Sequence, residues 1–233
     1  MSTIRRQPQT VLPPLVHGER LDRATFHERY EAMPDGIRAE LIGGVVYMAA
    51  AAGLKHGRFD ASAQYWVGHF ASHTPGVESL SNTSVFLEDR SELQPDAVLR
   101  ISPEFGGMTR DEGRYYAGGP ELVVETSDTS LAKDLGPKLA AYERAGVLEY
   151  IVLALDPYRI IWHARRDTRL VAVPPDADGI YRSATFPGLW LTPPALLARD
   201  NRAIRETVDR GVATPEHAAF VARLAGAGGM VEG

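Results

Sequence analysis

Three residues of this 233-residue chain have the types and surroundings that could do chemistry together: Asp96, Glu125 and Lys138. Asp96 follows Pro95 and opens an apolar run, and a proline belongs at the start of a strand rather than in its middle. Glu125 ends the run Leu122-Val123-Val124, where a carboxylate is partly desolvated. Lys138 lies on a segment with helical spacing. At about 100° per residue from Leu135, Leu139 falls at about 40°, Tyr142 at about 340° and Ala145 at about 280°. Lys138, at about 300°, sits inside that apolar stripe. A lysine there must reach out to water or meet an anion, and Glu125 is the nearest candidate. Taken alone, the segment is satisfied equally by a snorkelling lysine beside a strand-end glutamate.

Two carboxylates on neighbouring strand ends can hold a hard cation such as Mg²⁺, which prefers oxygen ligands and waters. A lysine beside them can position or deprotonate a water, or steady a phosphate as charge builds on it. A metal there polarises the phosphoryl oxygen and acidifies its bound water. The set therefore suits phosphodiester hydrolysis. Glu40 reads either as a further acidic site residue or as a plain hairpin carboxylate, and His56 either contacts substrate or caps its helix. The other six histidines lack a spacing such as HExxH, so no zinc site is expected. Ser127 to Ser130 read as a turn or cap before a helix.

The elements that must position these groups follow from periodicity. Residues 120–157 read as strand, crossover helix and strand: Glu121 to Thr126, Asp134 to Ala145, and Val147 to Leu155. Both strand runs are apolar on successive residues, as in strands covered on both faces, and a crossover makes them parallel. Upstream, Asp22 can cap a short helix running to Met33. Arg38 to Ala49 reads as a hairpin hinged at Gly43-Gly44, and Leu54 to Ser72 as a helix with Phe59, Ala63, Trp66, Val67 and Phe70 on its apolar face. Residues 77–87 and 94–101 read as one strand each, and 102–119 as a long loop. Beyond 157, residues 159–165 and 170–173 form an antiparallel pair, 181–191 a further edge strand or hairpin, and the tail short helices. Residues 54–155 thus have the order αβββαβ, which gives a mixed sheet with helices against it.

The whole chain sets outer bounds. It has 44% hydrophobic and 24% charged residues, within the ordinary globular range, and no cysteine to support disulfides or thiolate metal sites. Its net charge of −5 argues against a protein whose main work is to neutralise phosphates. A metal-dependent nuclease with a local basic groove remains compatible. No run approaches the roughly 20 apolar residues needed to span a bilayer, and the N-terminus lacks a secretory pattern, so a cytoplasmic location is expected.

Several motifs now fall into register. They are Glu40 to Gly44 (ELIGG), His56, Pro95-Asp96, Leu122 to Ser127 (LVVETS), and Asp134 with Lys138, Tyr142, Gly146-Val147 and Glu149-Tyr150. Together they resemble the Uma-type restriction endonucleases, within the PD-(D/E)xK superfamily, over roughly residues 25–195. The superfamily's usual lysine, two residues after the glutamate, would fall at Ser127. In the Uma-type pattern it has moved to the helix, where Lys138 stands. Pro137 beside it is tolerable only in a first turn. The resemblance implies an α/β, restriction-endonuclease-like mixed sheet flanked by helices, with an N-terminal helix and hairpin and C-terminal β and helical additions. The nuclease domain is placed at 21–198, between an arm at 1–20, which has three prolines and no periodicity, and a helical tail at 199–233. The implied activity is Mg²⁺- or Mn²⁺-dependent DNA hydrolysis by Asp96, Glu125 and Lys138. The ion would rest on Asp96, Glu125 and the Thr126 carbonyl, with Glu40 and His56 in support. DNA would be the substrate, and a homodimer is expected because duplex cleavage needs two cuts. The competing class is a nuclease-fold protein with little activity that serves as a binding or interaction module. From the sequence, Lys138→Met is expected to stabilise the protein slightly, because it removes a charge that is costly to bury.

Overall fold

In the computed structural model, which describes residues 12–88 and 90–228, the strand–helix–strand unit at 120–157 forms as expected. Strands β9 (Leu122–Ser127) and β10 (Glu149–Leu155) run parallel, with Glu125 opposite Val152. Every residue of both strands is buried, which is why their apolar runs do not alternate. These strands form the middle of a mixed sheet ordered β12-β11-β10-β9-β6-β3. Its other members are β3 (Val77–Ser81), β6 (Ala97–Ile101), β11 (Tyr158–Arg166) and β12 (Arg169–Val173). One face is covered by helix α2 (Leu54–Ser72), whose Ala63, Trp66, Val67 and Phe70 meet Leu122, Val124, Ile151 and Leu153. The three C-terminal helices, Pro193–Ala198, Asn201–Val212 and Pro215–Gly228, close the same core through Leu196, Ile204, Val208, Phe220 and Leu224. The tail at 199–228 therefore packs into the main core; residues 229–233 of its glycine-rich end lie outside the described residues.

The other face carries a second mixed sheet, where a single one was expected. Its order is β2-β1-β5-β4-β8-β7, from β1 (Ala39–Ile42), β2 (Val45–Met48), β4 (Val85–Leu87), β5 (Ser91–Leu93), β7 (Arg110–Glu112) and β8 (Tyr115–Ala117). Residues 77–87, read from the sequence as one strand, break at Asn82, which has φ of 50°. Residues 94–101 start later than read, after Pro95. The loop at 102–119 contains the β7–β8 hairpin. Gly43 and Gly44 both have positive φ, 59° and 84°, the requirement of a two-residue hairpin turn that only glycine meets without strain. Helix α1 (Arg23–Glu31) is capped by the Asp22 carboxylate, which accepts from the Thr25 N–H at 2.9 Å. Residues 12–20, the described part of the expected arm, run along the hairpin, with Leu15 buried and the Gly18 N–H donating to the Val46 carbonyl at 2.8 Å.

The crossover helix, α3, covers 131–144 and starts three residues before the expected Asp134. Pro137 is therefore inside the helix and not in its first turn. The helix accommodates it by widening to a π-type turn over Asp134–Lys138, where the Leu139 N–H reaches back to the Asp134 carbonyl. Proline lacks the N–H of a regular turn, and a wider turn relieves the clash of its ring. The buried face consequently runs through Asp134, Lys138, Ala141 and Tyr142, while Leu135 and Leu139 are only partly buried. Lys138 is at the centre of the inward stripe. Among the described residues no helix is long and apolar enough to cross a membrane.

Candidate functional site

Strand alternation brings the acidic groups together. Asp96 immediately precedes β6, where Ala97 faces Val124 of the antiparallel β9. Asp96 and Glu125 therefore stand at the same end of adjacent strands. The tie is direct: the Thr126 N–H donates to Asp96 Oδ2 at 2.7 Å. Glu125 shares its face of β9 with Val123, in the core between the two sheets. On β1, Glu40 shares its face with Ile42, which belongs to that same core, whereas Ala39 and Leu41 face away. The hairpin thus delivers Glu40 to the centre from the second sheet.

Lys138 joins the two. Its Nζ lies 2.8 Å from Glu125 Oε1 and 2.8 Å from Glu40 Oε1. Lys133, one turn earlier, reaches Glu40 Oε2 at 3.1 Å. The Tyr142 hydroxyl, one turn later, donates to Glu125 Oε1 at 2.8 Å, and the Gln94 N–H donates to Glu40 Oε1 at 3.1 Å. Glu40, Glu125 and Lys138 are all buried. Asp96 is more open, and His56 at the start of α2 approaches its Oδ2 at 3.5 Å. All six residues singled out from the sequence, Thr126 included, therefore meet in one place, Glu40 and Lys138 as a direct pair.

The environment separates the carboxylates. Burial pushes the Glu40 carboxyl up, but the ammonium groups of Lys138 and Lys133 outweigh it and hold its pKa below the ordinary value. Burial also raises Glu125, and there it wins: Lys138 opposes the shift, while the charges of Asp96, Glu40 and Asp134 add to it, leaving the pKa well above normal. One shared ammonium cannot neutralise two buried anions, and Glu40 has the second lysine. Glu125 is thus the more readily protonated of the two carboxyls. Burial disfavours the Lys138 charge as well, yet the surrounding carboxylates raise its pKa above the lysine norm. Lys138 therefore stays an ammonium at neutral pH. In that state it suits positioning a water and stabilising charge. His56 is raised above its usual value by its bond to Asp96, against burial. Asp60, one turn after it, is pushed up to about 6 by burial and by the Asp96 charge.

The donor set fits a hard divalent ion. Lys138 and Tyr142 both engage Glu125 Oε1, leaving Oε2 as the atom to face a cation. The Thr126 N–H and His56 both engage Asp96 Oδ2, leaving Oδ1. Two hard anionic oxygens are what Mg²⁺ or Mn²⁺ prefers, and a cation is what the raised Glu125 lacks. The nearby cations are Lys55, paired with Asp128 at 2.9 Å, Lys133, and Arg38, bonded to Asn82, whose N–H meets the Asp96 carbonyl. Two of these three cations are already paired with carboxylates, Lys55 with Asp128 and Lys133 with Glu40.

Sequence reasoning did not single out Lys133, Gln94 or Asp60, and it placed Tyr142 in the core stripe without its bond to Glu125. The four-residue steps from Lys138 to Tyr142 and from His56 to Asp60 are visible in the sequence and put each pair on one helix face. Nothing local marks Gln94, which acts through its backbone.

Comparisons with known proteins place this architecture. The family model Uma2, described as "Putative restriction endonuclease", matches residues 24–194. Among solved structures, the chain is similar to a protein from Anabaena variabilis described as a "putative nuclease belonging to DUF820". The two share 13% identity at a TM-score of 0.55, over 73% of this chain and 96% of that one. That likeness is one of fold. No curated protein matches.

Proposed function

The chain belongs to the Uma2 family, and from that premise we propose that it is a metal-dependent endonuclease hydrolysing DNA phosphodiester bonds at the Asp96, Glu125, Lys138 centre. On this reading α2, β3, β6, β9, α3 and β10 are the αβββαβ core of a restriction-endonuclease-like domain at 21–198. The observation that carries it is the buried Lys138 ammonium, 2.8 Å from two carboxylates, next to the accessible Asp96. A cluster of buried charges is a poor way to gain stability compared with apolar packing, so its presence at two strand ends favours a chemical role.

Asp96 Oδ1, Glu125 Oε2 and the Thr126 carbonyl would hold one Mg²⁺ or Mn²⁺. When bound, such an ion supplies Lewis-acid polarisation of the phosphoryl oxygen and a more acidic water. Glu125 would meet the ion as a carboxylate, since a nearby positive charge opposes the effect of burial. Lys138 keeps Glu125 Oε1 fixed and presents positive charge toward the scissile phosphate. His56, held by Asp96 with a raised pKa, offers a proton near the phosphate. Glu40 and Lys133 hold Lys138 in position, while Arg38 and Lys55 meet the phosphate backbone.

A second reading, a nuclease-fold binding module with little activity, draws on the self-neutralised Glu40–Lys138–Glu125 set and the net charge of −5. The test is cleavage of duplex DNA, single-stranded DNA and RNA in Mg²⁺ or Mn²⁺, with Asp96→Asn and Glu125→Gln alongside. Metal-dependent cutting lost in both variants supports the nuclease. No cutting by the wild type, or cutting that survives Asp96→Asn, removes it.

A further inference from the structure

A separate cluster of ligand-type side chains lies at the far end of α2. His69, in the last turn of α2, and His73, its C-cap residue, stand four residues apart, with ring centroids 4.9 Å apart. Asp209, from the helix Asn201–Val212 packed against α2, brings Oδ1 to 2.6 Å from His69 Nε2. One ligand atom from each residue lies within 4.8 Å of the other two, and among the described residues this is the group of three so arranged. The set is also oriented. The His69 ring stacks on Tyr65 at 5.8 Å and 8°, and Arg205 approaches the other Asp209 oxygen at 3.8 Å, turning Oδ1 toward the histidines. His73 and Asp209 are exposed, so the position beyond them opens to water.

From this geometry we infer a second metal site, for Zn²⁺ or a similar borderline divalent ion, formed by His69, His73 and Asp209. Two imidazoles and one carboxylate with a fourth place for water is a ligand set that zinc takes and Mg²⁺ does not. Zinc bonds of about 2.0–2.1 Å require the three ligand atoms to draw in, which rotation of half-exposed side chains achieves. The site is distinct from the acidic centre. His56 is in the first turn of α2 and the histidine pair is at its C-terminal end, so at about 1.5 Å per residue they are roughly 20–25 Å apart. Bound zinc would clamp the end of α2 to the C-terminal helices, tying together sequence segments 140 residues apart. No zinc site was expected from the sequence on the ground that the histidines lack ligand spacing; His69 and His73 in fact have the four-residue histidine spacing of HExxH without its glutamate, and the third ligand comes from a distant helix.

The experiment uses tag-free, chelator-treated full-length protein titrated calorimetrically with Zn²⁺ in excess Mg²⁺, so that the acidic centre is occupied. The expected result is one Zn²⁺ per chain, a rise in melting temperature with zinc, and loss of affinity by at least about tenfold in His73→Gln and Asp209→Asn. Both variants should melt like the wild type without zinc, which separates ligand loss from misfolding. Absence of zinc binding in the wild type overturns the site. So does equal binding by His73→Gln, or zinc binding lost in Asp96→Ala and retained in His73→Gln.

Discussion

Replacing Lys138 by methionine tests the centre most directly. Methionine keeps the apolar stem and removes the ammonium that bridges Glu40 and Glu125 at 2.8 Å each. Removing one partner of a buried ion pair costs about 3–5 kcal/mol. Two features reduce the loss here: Glu125 can take a proton, and Glu40 keeps Lys133 and the Gln94 N–H. About 2–3 kcal/mol at pH 7 is the expected loss. At about 2–4 °C per kcal/mol for a chain of this size, the melting temperature falls by roughly 4–12 °C. This reverses the slight stabilisation expected from the sequence, where only the cost of burying the lysine was visible. Glu40 has a lowered pKa in the folded state, so its contribution is present above the unfolded carboxylate value and fades as pH falls through the folded one. The gap between wild type and variant should therefore narrow below about pH 4.5. Thermal melts at pH 7 and at acid pH, with a cleavage assay, measure both consequences. An unchanged or higher melting temperature at pH 7 would refute the bridging ammonium, and full cleavage by the variant would end its catalytic assignment.

Other outcomes are equally specific. Glu125→Gln should abolish cleavage while leaving the melting temperature at pH 7 equal or higher. Its carboxyl has a pKa raised well above normal, which destabilises the fold as pH rises through the gap between unfolded and folded values, and a melt shows the sign. Asp60→Asn should raise the melting temperature at pH 8 and not at pH 4. The Asp60 pKa of about 6 lies above its unfolded value, so the penalty grows between those pH values and is absent below them; a gap persisting at pH 4 contradicts this. Calorimetric titration with Mn²⁺ should show a site that Asp96→Ala abolishes, and unchanged binding would move the ion elsewhere. Sedimentation at high concentration should show the homodimer expected from the need for two cuts in a duplex, and a monomer alone would count against it.

The local elements were legible because their signals are local. The double-sided burial of β9 and β10, the apolar face of α2, the Gly43-Gly44 turn and the Asp22 cap each reflect residues within one turn or strand of one another. Glu125 and Lys138, 13 residues apart across one crossover, could be paired for the same reason. The structure decided what closes over distance. Lys133 meets Glu40 across 93 residues and His69 meets Asp209 across 140, and no periodicity predicts such pairs. Burial is likewise a tertiary quantity. Lys138 reads as an ambiguous lysine in a stripe until a second sheet covers it and supplies Glu40, and only that enclosure sets which carboxylate ionises. Residue types and spacing determined which groups could react; packing determined their neighbours and their charge, because Coulomb energy depends on separation in space and on exclusion of water.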